Sequence, residues 1–425
     1  MLKKESFYIE IERLVPGLFV DLELAWSQHP FLFPRFRIKN TREVRQIREL
    51  GLSRVRIITK KSQADALQTL KSPPPLVPEG NDVPDSDADL NTLWQQKKDS
   101  LAEAEGFKKE HRRTTKAYRE TQKRIGNVIR NLKLAPANAI RDADEVITDI
   151  TAMLAETGNI VISMVNLSSD EFSSQHHALN VTVLALALGK QLNLSEAQLH
   201  DLGVGCMLHD IGKIMLPAPL LQKTHLSEQE KQVVLTHVGH GLKMLTRLDI
   251  VSDQVQEMVA HHHAYLDGSG HPPTSDADDI SSLCRILQIA NHYDNMCNPS
   301  VPLTPLSPKA AMAKLFSDFE TKLDSQLIHQ FVRHFGVYPP GTVVQMNDDS
   351  IAVVISVRSE ALLSPRVLIY NPDIPAKQAL MIDLTDNQDL SIRHALKPGE
   401  YPQEVQEYLG LEDRLGYFIS PSASG

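Results

Sequence analysis

Seventeen histidines in 425 residues would say little if they were scattered. The informative ones form an ordered series: His176-His177, His209-Asp210, His237, His261-His262-His263, and then Asn291 with Asp294. Imidazole and carboxylate are the donors that hold catalytic transition metals such as iron, manganese or zinc. Taken singly, each histidine has a plain reading as a hydrogen-bonded core residue. The adjacent pair His209-Asp210, at the end of the apolar run in LGVGCMLHDIGK, is different. Neighbouring side chains on a helix diverge by about 100°, so such a pair can address one metal only from a helix end or a distortion. The following Gly212 fits an ending there. The chemistry these residue types support is metal-assisted hydrolysis of a phosphoester.

The surrounding pattern describes the elements that must hold these residues. Residues 166–335 read as mainly helical, with capping boxes at Ser195/Gln198 and Ser227/Glu230 and a proline-initiated helix at Ser307-Pro308. Upstream, Tyr118, Ile125, Ile129 and Leu132 share one helical face, and Ile140, Ala143, Ile147, Ile150 and Leu154 form a second apolar stripe. Lys108, Lys109, Arg112, Arg113 and Lys116 in the same region read as a solvated face rather than a nucleic-acid stripe. Residues 7–60 alternate strand-like runs (FYIEI, LFVDLEL, RVRIIT) with a helix over Thr41–Leu50. The last ninety residues are β-rich (TVVQM, IAVVISV, RVLIY, ALMIDL), with a hairpin loop at Asn347–Ser350. The expected organisation is a small α+β module over 1–70, a Pro- and Asp-rich flexible linker over 71–92, and a helical connector over 93–165. A helical metal-site domain over 166–335 and a β-rich module over 336–425 complete it. The fold class is therefore multidomain, a mainly α-helical core between an α+β and a β-rich module.

A net charge of −9 argues against a duplex-DNA binder. No apolar run reaches the ~18 residues of a membrane span, and no signal peptide opens the chain. The three cysteines, Cys206, Cys284 and Cys297, form no CxxC motif. A cytoplasmic protein with reduced thiols is expected, and the amphipathic connector allows a homodimer.

LHDIGK resembles the signature of the HD superfamily of metal-dependent phosphohydrolases, and HHHAYLDGSGHP resembles the longer HD-GYP signature. THVGHG lies between them at matching spacing, and CRILQIANHYDN is similar to the family's downstream helix. The stretch around WSQHPFLF looks like a small domain of unknown function that often precedes HD-GYP units. The resemblance implies an HD-type helical core that hydrolyses cyclic di-GMP to linear pGpG and in some members to GMP. It implies two divalent ions, iron or manganese, held by His177, His209, Asp210, His237, His262, His263 and the Asn291 position. His176 is the alternative to His177 in register. Asp210 would bridge the ions, with the bridging water or hydroxide as nucleophile, and Lys213 would neutralise phosphate charge. Asp267, Gly268, Gly270, His271 and Pro272 would shape the substrate entrance.

The chain departs from the family pattern in several places. Asn291 stands for an aspartate ligand, with Asp294 as a candidate substitute one turn on. Ala264 replaces a glutamate and His271 the tyrosine of GYP. Ser300 and Leu303 replace basic phosphate grips, and Ser173 stands where some members hold a third metal through glutamate, a role Asp170 or Glu171 could fill. The alternative to a phosphodiesterase is thus a catalytically weak HD-GYP module that serves as an interaction surface for signalling partners. A third reading is an HD hydrolase of another phosphoester.

Overall fold

The computed structural model describes residues 6–70, 86–156, 161–167, 173–247, 251–273, 277–299, 304–358, 360–386, 390–412 and 414–420. Residues 71–85 of the expected linker, and Asp170, Glu171, Ser300 and Leu303, lie outside them. The chain divides into two compact units. One comprises residues 1–107, 348–350 and 370–380, and the other the remainder.

In the first unit, strands β1 (Ser6–Glu10), β2 (Phe19–Asp21) and β3 (Arg35–Arg37) are followed by helix α1 (Thr41–Arg48), β4 (Arg54–Ile58) and α2 (Ala64–Thr69). The strands form an antiparallel sheet in the order β1-β4-β2-β3. Asn40 starts α1 by accepting a hydrogen bond from the Glu43 amide at 3.0 Å. Leu18, Ile38, Ile47 and Ile57 are buried in the core of this unit. Helix α3 (Ser86–Asn131) begins inside the stretch expected as linker, and the division between units falls within it.

The second unit continues with α4 (Pro136–Glu156), β5 (Val161–Leu167), α5 (Ser174–Gln191), α6 (Glu196–Leu208), α7 (Ala218–Leu221), α8 (Glu228–Leu235) and α9 (His237–Thr246). Helices α10 (Asp253–His261), α11 (Ser282–Cys297), α12 (Pro308–Asp318) and α13 (Ser325–Phe335) follow. Strands β6 (Val343–Met346), β7 (Ile351–Arg358), β8 (Arg366–Ile369), β9 (Met381–Asp383) and β10 (Ile392–Ala395), helix α14 (Gln403–Leu409) and strand β11 (Arg414–Ser420) complete it. Residues 178–189 of α5 are buried on every side, as expected of a helix apolar all round, and α4, α6, α11 and α13 pack about it. The expected stripe of α4 is buried from Ile140 to Leu154, and Ile147 lies against Gly203 of α6. The capping boxes at Ser195 and Ser227 and the Pro308 helix start are all present, as is the β6–β7 hairpin across 347–350.

The β-rich part is larger than the last ninety residues. Strand β5, from the stretch expected to be helical connector, pairs with β7 and, along its whole length, with β11. The sheet runs β10-β6-β7-β5-β11, with β8 on β7 and β9 on β8. A seven-residue apolar run, VISMVNL, fits a buried strand and a buried helix segment equally by periodicity. Its partners, more than 180 residues distant in sequence, settle the choice.

Candidate metal centre

Helix α6 ends as its sequence suggests. His209 caps it, Asp210 leaves helical geometry (φ −96°, ψ 7°), and a short 3-10 turn follows over Ile211–Met215. The two adjacent side chains can therefore face one point. Gly212 has a tighter duty than ending the helix: a Cβ there would lie 1.9 Å from the carbonyl oxygen of His237 and 2.6 Å from the Gly241 amide. Only glycine lets this turn lie on the start of α9, which brings His237 to Asp210. His177 comes from the first turn of α5, and His262 and His263 from the end of α10.

The imidazoles are oriented by one recurring device. Nδ1 of His209, His237 and His262 each donates to the carbonyl three residues earlier, on Cys206, Val234 and Val259, at 2.7, 2.7 and 2.9 Å. Nδ1 of His177 donates instead to Oδ2 of Asp294 at 2.6 Å. A carbonyl or carboxylate can only accept, so a proton sits on Nδ1 of each ring and its Nε2 faces inward. Asp210 divides its carboxylate between them. Oδ2 lies 3.4 Å from His209 Nε2 and 3.8 Å from His177 Nε2, while Oδ1 lies 3.2 Å from His237 Nε2 and 3.7 Å from His262 Nε2. Two donor groups result, His177/His209/Asp210 and Asp210/His237/His262/His263, each with donor atoms within 4.8 Å of one another.

These donors fit divalent ions. Nε2 of His177 and His209 and Oδ1 of Asp210 are buried without a hydrogen-bond partner, an arrangement that is costly unless a cation satisfies it. Nε2 of His237 and His262 are 3.1 Å apart with their ring protons committed elsewhere, so two lone pairs face each other. Burial, reinforced by neighbouring His263 and His209, holds His262 well below the ordinary imidazole range. Burial pushes His263 down to about 3. Neutral rings are the form that ligates metal. Burial alone would raise Asp210, but the Lys213 ammonium and then His209 outweigh it and hold the carboxyl well below its usual range. Lys213 Nζ donates to Asp210 Oδ2 at 2.6 Å, so the expected phosphate contact starts from a bridge to the central carboxylate.

The remaining sequence candidates take defined places. His176 lies outside both donor groups: its Nδ1 accepts from the Ser173 amide at 3.2 Å, and its ring stacks on Tyr118. Asn291 is buried on α11, and its Oδ1 accepts from Asn295 Nδ2 at 2.6 Å. Asp294, considered from sequence as a substitute ligand, instead orients His177 through Nδ1. The loop expected at the substrate entrance is built on itself. Asp267 accepts from the Ser269 hydroxyl and amide at 2.6 and 2.9 Å, and the Gly268 φ is +78°. A Cβ on Gly270 would lie 2.3 Å from the His263 carbonyl oxygen. The His271 amide donates to that same oxygen at 2.8 Å, and the peptide bond to Pro272 is cis. Of the spare histidines, His261 pairs with Glu257, and His292 lies against Tyr265 and Phe319.

Three supporting residues escaped the sequence reading: Asn180, Gln288 and Asn298. Gln288 Nε2 ties the end of α10 to α11 by donating to the His261 and Ala264 carbonyls at 3.0 and 2.7 Å. A lone amide inside an apolar helix, as in ALNVTVLALALG around Asn180, is the signal that could have marked such residues.

Comparison with known proteins agrees with this geometry. Residues 159–327 match the HD domain family, and residues 6–143 match a domain of unknown function (DUF3391). The chain is 28% identical over 247 residues to a cyclic di-GMP phosphodiesterase of Pseudomonas aeruginosa, covering 58% of this chain and 59% of that one. It is 23% identical over 182 residues to a cyclic di-GMP phosphodiesterase of Borreliella burgdorferi, covering 43% and 48%. With a 3'3'-cGAMP-specific phosphodiesterase of Vibrio cholerae it shares 27% over 161 residues, covering 37% and 31%. The fold and the donor set define a helical HD-domain protein with a His/Asp centre that could hold metal. Within that class the matches support an HD-GYP-like chain, with a domain of unknown function ahead of its HD domain. No helix among the described residues is long and apolar enough to cross a membrane.

Proposed function

We propose that this chain is a metal-dependent phosphodiesterase that opens cyclic di-GMP to linear pGpG. The single observation that carries this reading is the convergence of inward-facing imidazole lone pairs on the two oxygens of Asp210. His237, His262 and His263 with Asp210 would hold one ion, and His177, His209 and Asp210 with the amide of Asn291 a second, iron or manganese by donor type. When bound, such ions supply Lewis-acid stabilisation of phosphate charge and an acidified water. The chain's own part is to keep the rings fixed, to split one carboxylate between the two groups, and to deliver Lys213. That ammonium carries three N–H donors, so it could reach a phosphate oxygen while keeping its bond to Asp210. The entrance loop 267–272, braced on the His263 carbonyl, would border the base and sugar. The named activities of the relatives support this substrate class, although the chain spans only 59% and 48% of the first two relatives' lengths. The cGAMP-specific relative makes 3'3'-cGAMP the substrate to compare.

A second reading, an HD-GYP module retained for binding rather than turnover, draws on Asn291, whose neutral amide replaces a charged ligand. The deciding experiment is turnover of cyclic di-GMP and 3'3'-cGAMP by anaerobically purified protein loaded separately with Fe2+ and Mn2+. Metal-dependent linear product, abolished in Asp210→Ala, is expected. Absence of turnover in metal-loaded protein would transfer the assignment to the binding module.

A further inference from the structure

We infer that the C-terminal strand β11 is a working part of the metal centre, holding the His177 half of it in place through two asparagine side chains. This rests on the metal-centre reading above and adds a positioning element that lies outside the residues matching the HD domain family, 159–327.

Strand β11 ends the sheet path, with one edge paired to β5. Its other edge meets no strand among the described residues. The Leu415 amide donates to Asn298 Oδ1 at 2.8 Å, and the Tyr417 amide to Asn180 Oδ1 at 3.1 Å. The Leu415 carbonyl accepts from Asn180 Nδ2 at 2.9 Å and from Asn298 Nδ2 at 2.8 Å. An unpaired sheet edge is ordinarily covered or blunted; here two side-chain amides cover it. The same two amides also donate to Oδ1 of Asp294, each at 2.8 Å. The other oxygen of Asp294 receives the His177 Nδ1 proton. Asp294, Asn180 and His177 are all buried. The chain of contacts therefore runs from strand backbone, through amide and carboxylate, to imidazole.

Connector helix α3 joins this network. The Tyr118 hydroxyl donates to Asn180 Oδ1 at 3.1 Å. A Cβ on Gly416 would lie 2.7 Å from the Tyr118 ring, so the strand passes directly over that side chain. Nδ1 of His209, His237 and His262 draws instead on backbone carbonyls three residues earlier in the chain. His177 alone among these four depends on a side chain held from outside its helix. A displacement of β11 should therefore weaken the His177/His209 group and spare the His237/His262/His263 group.

The test uses the full chain stripped of metal and titrated with Mn2+, counting free ion by EPR, alongside denaturant unfolding. Wild type should bind a tight and a weaker ion, and Asp210→Ala should lose both. Asn298→Ala and Gly416→Ala should weaken the second ion by about tenfold, the scale of an outer-shell loss, and leave the first within about twofold. Unchanged binding of the second ion in cooperatively folded variants would overturn the inference. Equal weakening of both ions would do the same, since it reports general loosening. Should those variants not fold, Tyr118→Phe decides: it removes one buried oxygen, and a second-ion affinity equal to wild type would count against the strand's role. Failure of wild type to take up any Mn2+ would instead remove the metal-centre reading itself.

Discussion

Asp210 and Asn291 show how much a single side chain decides in this centre. Asp210 presents one oxygen to each donor group, so its loss should empty both. On the proposed reading Asn291 would serve the His177/His209 group only, and its amide oxygen accepts from Asn295. A carboxylate at 291 could keep accepting from Asn295 while adding the charge that a second ion lacks. Asn291→Asp is therefore expected to raise retained metal towards two ions per chain after desalting, as read by elemental analysis. Equal retention in variant and wild type would show that this position does not limit occupancy.

At the scale of elements, the centre depends on how closely the 3-10 turn after α6 lies on α9. Gly212→Ala places a methyl against the backbone of His237 and Gly241, where nothing can yield except the elements themselves. Overpacking of this kind costs about 1–3 kcal/mol, and it also carries His237 away from Asp210. Lower urea stability together with a marked loss of Mn2+ affinity is expected, whereas a stability loss with full affinity would argue that this approach does not set the site. Helix α13 carries a different liability. His334 is buried with both ring nitrogens unpartnered, and burial lowers its pKa from 6.5 to about 4. Between those values the unfolded chain binds a proton that the folded chain does not. Its contribution is full above about pH 6.5 and falls as pH drops towards 4. Wild type should lose about 2 kcal/mol more stability than His334→Leu between pH 7 and 5. Parallel losses in urea melts at the two pH values would rule out His334 as the acid-sensitive group.

For the whole molecule, the donors come from α5, the end of α6, α9 and the end of α10, so an ion at the centre would tie together four helices spread between Ser174 and His261. Metal that binds only the folded chain stabilises it by about 2.7 kcal/mol at a hundredfold excess over Kd. Chelation should lower the thermal midpoint of the transition that reports the helical unit, and Mn2+ should restore it. The N-terminal sheet belongs to the other unit, so a separate transition insensitive to chelator would be assigned there. A midpoint indifferent to both chelator and Mn2+ would show that metal does not bind the native state measurably.

The helical core was legible because its signals are local: apolar periodicity in α3 and α4, Ser-x-x-Gln/Glu caps, and histidine clusters whose spacing survives without coordinates. The adjacency of His209 and Asp210 already required a helix end or a distortion, and the chain supplies the end. What stayed hidden depends on partners far apart in sequence. Strand β5 became a strand because β7 and β11 flank it, information absent from VISMVNL. Which of His176 and His177 joins the donor group turned on which ring meets Asp294 of α11. Asp294 passed from candidate ligand to orienting carboxylate for the same reason. Local sequence specifies what a side chain can do and which way a helix faces. Which lone pair meets which proton is decided only when separate helices and a returning strand close on one buried point, where every unsatisfied polar atom carries a cost.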